Sequence, residues 1–290
     1  MNRKKQLCSY FEGWYFKNQR GSEVISFIPA CHIDEEGSPS ASIQVITPER
    51  AYQVPYPYEE FSASSRKLAV RVGKNIFTER GILLNIHTEE LSVTGQLKYR
   101  AITPLRYHIM GPFHFMPLMQ CRHSIFSLTH RIEGYLTING IPKSFDFGQG
   151  YIEGDRGIGF PGDYFWTQCS WWQVAHNCVM LSVAEVQMGV ISFTGCIGIV
   201  YYQRTEYRFA TYLGVKIKRV SSNELWVQQG EYELWVNVLD MKEHSLLAPM
   251  RGRMNRTVYE SLAAKIRYRF TKGKRVIFDF VGDGSFERGM

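Results

Sequence analysis

Short apolar runs rich in β-branched residues recur along the chain about every 8 to 14 residues, each closed by turn residues. Segments 24–28, 42–47, 68–72 and 91–94 show the pattern, and 179–186, 190–202, 207–213, 225–228 and 232–238 continue it, with Gly230 marking a turn. Residues 132–147 predict a hairpin, because Asn139-Gly140 supplies the two positive-φ positions of a type I′ turn. In 264–270 the basic Lys265, Arg267 and Arg269 share one face of a strand, and Ile266, Tyr268 and Phe270 share the other. Lys272-Gly273-Lys274 then turns into 276–280. One stretch, 256–264, reads as a helix. The rest predicts an all-β protein of antiparallel sandwich or barrel type.

Two aromatic segments look like openings: Phe11-Glu-Gly-Trp14-Tyr-Phe-Lys17, and Tyr164-Phe-Trp166-Thr-Gln-Cys169 followed by Trp171-Trp172. A glycine-rich stretch, 148–162, lies between them. The expectation is two β domains, 1–148 and 149–290, which agrees with a length of 290 residues at roughly 150 per domain.

Composition narrows the class. With 44% hydrophobic and 21% charged residues the chain can bury a large core. Aromatics reach 14%, which suits strands or a pocket for an apolar ligand. The basic first residues are followed by no apolar stretch, and no run approaches the roughly 20 apolar residues of a membrane helix. Six scattered cysteines (Cys8, Cys31, Cys121, Cys169, Cys178 and Cys196) without a CxxC pair suggest a reduced, cytoplasmic protein. The net charge of +7 is concentrated in 251–275, where nine Lys or Arg face Glu260 alone. Such a local strip argues against a nucleic-acid partner. It suits either peripheral contact with an anionic membrane surface or a solvated edge that discourages strand pairing.

The densest chemistry is in Gly148-Gln-Gly-Tyr151-Ile-Glu153-Gly-Asp155-Arg156-Gly157 and the residues after it. Gly157-Ile-Gly159-Phe-Pro-Gly162 is a literal GxGxxG. Pro161 sits inside it and an aromatic strand follows, so the strand–loop–helix setting of a dinucleotide site is missing. Glu153 and Asp155 are candidate general acids, since a carboxylic acid in an apolar pocket can protonate an alkene or carbonyl. Read from the residues alone, turn contacts for Asp155 and Arg156 and pairing of Glu153 with a basic neighbour are the simpler account. Tyr151, Tyr164, Trp166, Trp171 and Trp172 could stabilise a cation through their ring faces. His108, His114, Cys121 and His123 invite a zinc reading, but their spacing lacks the tight repeat of such sites and no metal is expected. Arg122, His123 and His130 are candidates for lining a pocket or for ordinary structural use, and alternation sets Cys121 and His123 against Arg122. GxSxG, P-loop and HExxH motifs are absent from the sequence.

The segments Phe11–Lys17, Gly111-Pro-Phe113, Met119-Gln-Cys-Arg-His123, Gly150-Tyr-Ile-Glu153, Gly159-Phe-Pro161 and Trp166-Thr-Gln-Cys169 resemble the tocopherol cyclase family. The likeness runs from residue 11 to the closing Gly282-Asp-Gly-Ser-Phe-Glu287. It implies two tandem lipocalin-like β-barrel domains, a kinship with carotenoid hydratases and some pericyclase-type enzymes, and a cofactor-free isomerase. In that reaction an acid protonates the double bond of a prenylated hydroquinone and the phenol oxygen closes a chromanol ring. The resemblance offers Glu153 or Asp155 as the donor, with Trp14, Trp166 and Tyr164 as walls. Where plant-type members read Glu-Lys-x-Trp-Gly, this chain reads Glu153-Gly154-Asp155-Arg156-Gly157, which points to a different substrate. A non-catalytic carrier of a hydrophobic small molecule is the competing reading. The cyclase reading requires an acid held out of water beside an apolar hollow.

Overall fold

The computed structural model describes residues 9–117, 119–173 and 175–289; Cys8 and the basic residues before it lie outside these. The described residues hold no α-helix, only three short 3₁₀ turns, and the expected all-β class is the one observed. The first twelve strands are β1 (Tyr10–Arg20), β2 (Glu23–Ile33), β3 (Pro39–Ile46), β4 (Ala51–Tyr56), β5 (Phe61–Ala63), β6 (Ala69–Val72), β7 (Asn75–Thr78), β8 (Gly81–His87), β9 (Ser92–Arg100), β10 (Cys121–Ile138), β11 (Ile141–Ser144) and β12 (Gly148–Gly157). They form one antiparallel sheet in the order β4-β3-β2-β1-β12-β10-β9-β8-β7-β6-β5, with β11 hairpinned onto β10. The sheet coils until β6 packs on β2 and β3, forming the first barrel.

The second sheet contains β13 (Tyr164–Trp172), β14 (His176–Met188), β15 (Ile191–Tyr202), β16 (Thr205–Ala210), β17 (Lys216–Ser221), β18 (Glu224–Gln229), β19 (Tyr232–Asp240), β20 (His244–Met250), β21 (Arg253–Lys272) and β22 (Arg275–Gly289). Its order is β16-β15-β14-β13-β22-β21-β19-β18-β17, with β20 on β21. It coils likewise, bringing β16 against β18.

The Asn139-Gly140 turn forms as expected, with φ of 48° and 81°. Two expectations change. Residues 256–264 are strand, paired with both β20 and β22. A register break between Ser261 and Ala264 interrupts the alternation there, and cross-strand pairing overrides local helix preference. The glycine-rich stretch is no connector over most of its length. Residues 148–157 are β12, in the middle of the first sheet, so a division at 148/149 falls on that strand's first residue. The chain changes sheets over 158–163, which includes most of the GxGxxG segment, and β13 follows instead of a helix.

Alternation divides each strand between two environments. Trp14, Phe16, Phe27, Val45 and Ile152 fill the first barrel's interior, and Leu181, Val200, Phe209, Phe270 and Phe286 fill the second's. The opposite faces of the same strands contribute Tyr15, Tyr151, Tyr164, Trp166, Met180 and Leu262 to a third core between the barrels. The basic strip on β21 lies at this junction and beyond it. Arg251 pairs with Glu35 at 3.3 Å, Arg253 with Asp34 and Glu36 across the barrels, Lys265 with Asp283, Arg267 and Arg269 with Asp279, and Lys272 with Glu231. No helix among the described residues is long and apolar enough to cross a membrane.

Candidate active site

A cavity of about 180 Å³ lies in the core between the barrels, while each barrel interior is filled by its own side chains. The local sequence makes this space. Asp155 on β12 pairs with His123 on β10 and with Gly13 on β1, and Gly13 in turn faces Ala30 on β2. On the side away from His123 that row continues from Asp155 with a glycine and an alanine, so the first sheet presents a low floor there. Phe160, Tyr164, Trp166, Ala184, Leu246, Val258 and Met254 close the cavity from the other side.

On this floor His123 is held between two carboxylates. Its Nδ1 lies 3.0 Å from Asp155 Oδ1, and its Nε2 lies 3.2 Å from Glu153 Oε2, near enough to pair but not aligned as a hydrogen bond. Burial works against the charged imidazole, but Asp155 and then Glu153 outweigh it and raise its pKa well above the ordinary value. Glu153 is 6% exposed. Its Oε2 accepts from Tyr151 Oη at 2.5 Å and from Trp166 Nε1 at 3.2 Å, so it joins the two barrels. Asp155 Oδ1 also accepts from Cys121 Sγ at 3.5 Å.

The second barrel adds its own acid. Tyr164 donates its hydroxyl to Glu287 on β22. Burial pushes the Glu287 carboxyl up to about 7, with Glu153 and Asp155 adding to the rise and the Tyr164 hydrogen bond opposing it. Below the cavity Tyr15 donates to Glu260 Oε1 at 2.9 Å and stands edge-to-face on Trp166 at 5.5 Å. Burial, then Glu287, raises the Glu260 pKa well above the usual carboxylate range. Lys17, whose Nζ donates to Gln168 at 3.1 Å, is pushed down by burial.

Of the residues singled out from the sequence, Glu153, Asp155, His123, Tyr164 and Trp166 converge on the cavity. Tyr151 stands behind Glu153 as its hydrogen-bond donor. Trp14 does not reach the cavity: the β1 alternation turns it into the first barrel, stacked on Phe61 at 6.4 Å. Arg122 points away from His123, as alternation predicts, and donates to the Met116 carbonyl at 3.0 Å. His130 is buried against Tyr99, Trp171 packs on Phe278 and Phe280, and Trp172 is exposed. Tyr15, His32, Glu260 and Glu287 were missed. Tyr15 and Glu287 lay in the segments that carried the resemblance, but only pairing across the barrels brings them to the site.

The zinc candidates do not assemble. His108 and His114 stack on each other at 3.8 Å, and His108 bonds Ser124. Among the described residues, the converging set is His123, Glu153 and Asp155, with ligand atoms within 4.8 Å of one another. A metal-bound histidine must be neutral. Here a carboxylate faces each ring nitrogen, which favours an imidazolium sharing its protons and not a metal ligand.

No family model matches the chain, and no curated protein does. Solved structures do share its fold. A protein of Nitrosomonas europaea provisionally described as an AttH superposes with a TM-score of 0.57 at 12% identity, over 99% of this chain and 96% of that one. Kievitone hydratase from Nectria haematococca superposes with a TM-score of 0.54 at 12% identity, over 97% of this chain and 88% of its own. The two-barrel all-β architecture is therefore shared with proteins of very different sequence.

Proposed function

We propose that the inter-barrel cavity catalyses acid-initiated addition across a carbon–carbon double bond of a hydrophobic small molecule, and that the specific reaction is ring closure on a prenylated quinol. A proton of the His123 imidazolium, which Asp155 and Glu153 hold charged, adds to the prenyl double bond and leaves a tertiary cation on the more substituted carbon. The phenol oxygen forms the new C–O bond and its proton passes to the carboxylate of Glu287 or back to the triad. Substrate and product are isomers, so no oxidant, reductant or cofactor is needed. The rings of Tyr15 and Trp166 flank the developing cation, and the apolar walls keep water from capturing it.

One observation carries this reading: a half-buried imidazole flanked by two carboxylates at 3.0 and 3.2 Å beside an aromatic-walled cavity. The fold neighbour named kievitone hydratase is named for adding water, a reaction that can begin with the same proton transfer. The test is incubation with a prenylated hydroquinone in D₂O, followed by liquid chromatography and mass spectrometry. Ring closure gives a product of the substrate's composition with one deuterium retained on carbon. Glu153→Gln should abolish that product while quenching of tryptophan fluorescence still reports binding. A product heavier by one water, also carbon-deuterated, would replace ring closure with hydration. Substrate recovered unchanged and undeuterated would leave the protein a carrier.

A further inference from the structure

Away from His123, the cavity wall contains an imidazole with nothing to bind. His32 on β2 is 3% exposed and lines the cavity, and neither of its ring nitrogens has a hydrogen-bond partner. Burial pushes its pKa down to about 4, so at neutral pH the ring is uncharged and offers one donor and one acceptor. Gln44, which also lines the cavity, is already engaged, donating to the Leu247 carbonyl at 3.0 Å. Leu247, Pro249 and Met254 of the second barrel also line the cavity. A buried polar group without a partner destabilises a fold, so a ring kept in this state marks a place where a ligand supplies the missing atoms.

Strand register fixes how far this imidazole stands from the acid. His32 pairs with Phe11, Phe11 with Gly157 and Gly157 with Cys121, which is two residues before His123. Three strand spacings across and two residues along give about 16 Å between the two histidine Cα atoms along the sheet. No Lys or Arg lines the cavity among the described residues. A carboxylate or phosphate would therefore meet no fixed counter-charge at the His32 end, whereas a hydroxyl can both accept from and donate to a neutral imidazole.

We infer that His32 docks an uncharged oxygen of the ligand, a hydroxyl or carbonyl carried far from the double bond that the His123 triad protonates. The inference rests on the reading of the cavity as a ligand site. It makes the natural substrate an elongated molecule oxygenated at both ends of its apolar body. If a quinol ring closes beside His123, the second oxygen sits on the tail or on a further ring.

Farnesol and the hydrocarbon farnesene are suitable probes, since both carry an isoprenoid chain with a trisubstituted double bond at one end, and at the other farnesol has a hydroxyl where farnesene has only a hydrocarbon diene. Binding to the full-length protein is read by quenching of tryptophan fluorescence. The wild type should bind farnesol about tenfold more tightly than farnesene, the value of one net hydrogen bond. His32→Leu should remove that preference by weakening farnesol alone. It should not lower the thermal midpoint, because the wild-type ring makes no internal hydrogen bond. His32→Gln, which keeps a donor and an acceptor, should retain the preference and guards against a Leu variant that fails to fold. If both probes bind and His32→Leu keeps the wild-type preference, or the wild type has none, the role of His32 is overturned while the cavity remains a ligand site. If neither probe binds, the cavity reading fails and takes this inference with it.

Discussion

Replacing Asp155 with Asn keeps the shape of the site and removes one of the two charges that hold His123 protonated. At the 3.0 Å separation of His123 Nδ1 and Asp155 Oδ1, two unit charges in a medium of effective dielectric about 20 attract by roughly 5 kcal/mol. Desolvation returns most of this, and a hydrogen bond to a charged group nets about 1.5–3 kcal/mol against about 0.5–1.5 for a neutral one. The variant should therefore lose about 1–2 kcal/mol, equivalent to lowering the folded-state pKa of His123 by about one unit. The sign of the pH dependence follows from the direction of the shift. His123 is raised when folded, so its contribution is complete below about 6.5, the ordinary imidazole value, and is lost as pH rises through the folded-state value. Urea unfolding followed by tryptophan fluorescence should show Asp155→Asn less stable than wild type at pH 5 to 6. The gap should shrink once the wild-type imidazole deprotonates. Imidazole NMR should place the His123 titration lower in the variant, and the alkaline limb of turnover should move with it. A stability gap that stays constant from pH 5 until well past the deprotonation of the wild-type imidazole, or a wild-type His123 that titrates at the ordinary value, would refute the account of a carboxylate-held imidazolium.

Two further outcomes are expected. Glu287→Gln keeps an oxygen for the Tyr164 hydroxyl and removes an acid whose folded pKa is about 7; since that value is raised, wild-type stability falls on its account as pH climbs from about 4.5 through 7. The variant should gain on the order of 2 kcal/mol relative to wild type across that window, measured as the difference in urea midpoints, and a difference that does not change with pH would contradict it. Gly154→Ala places a Cβ 3.0 Å from both Gly13 O and Trp14 Cδ1 and 3.1 Å from Phe126 Cε2, on the barrel-interior side of β12. It should cost about 1–3 kcal/mol in thermal or urea unfolding. Turnover per folded molecule, read from carbon deuteration well below the melting transition, should hardly change.

The strands were legible in the sequence because period-two alternation survives in most of them. Where a register break falls inside a strand, as between Ser261 and Ala264 of β21, the period is lost and a helix reading gains ground. The acids were legible as a cluster because Glu153 and Asp155 share a face by alternation, as do Cys121 and His123. What the sequence could not convey is which face of each strand turns towards the other barrel. Trp14 and Tyr15 are adjacent, yet one packs inside the first barrel and the other bonds Glu260 of the second. Gly154 gives the same lesson about the departure from the plant-type pattern. A lysine there would project between Trp14 and Phe126, away from the acids, so packing inside this barrel favours glycine.

The position of the cavity ties the chemistry to how the barrels dock. His123, Glu153 and Asp155 come from the first barrel; Trp166, Tyr164 and Glu287 come from the second, and neither set alone makes the acid-lined pocket. The groups that fasten the barrels beneath it are also polar and buried: Tyr15 to Glu260 and Ser285, and Lys17 to Gln168. Such groups stabilise only while their partners stay in place, since a buried polar group left without a partner destabilises. A shift of one barrel against the other would therefore disturb these pairs and let water reach the triad in the same motion. How far water is kept from an alkene at the acid is thus set by the same contacts that fix the two barrels together, since the acid lies at the interface and each barrel interior holds its own apolar core.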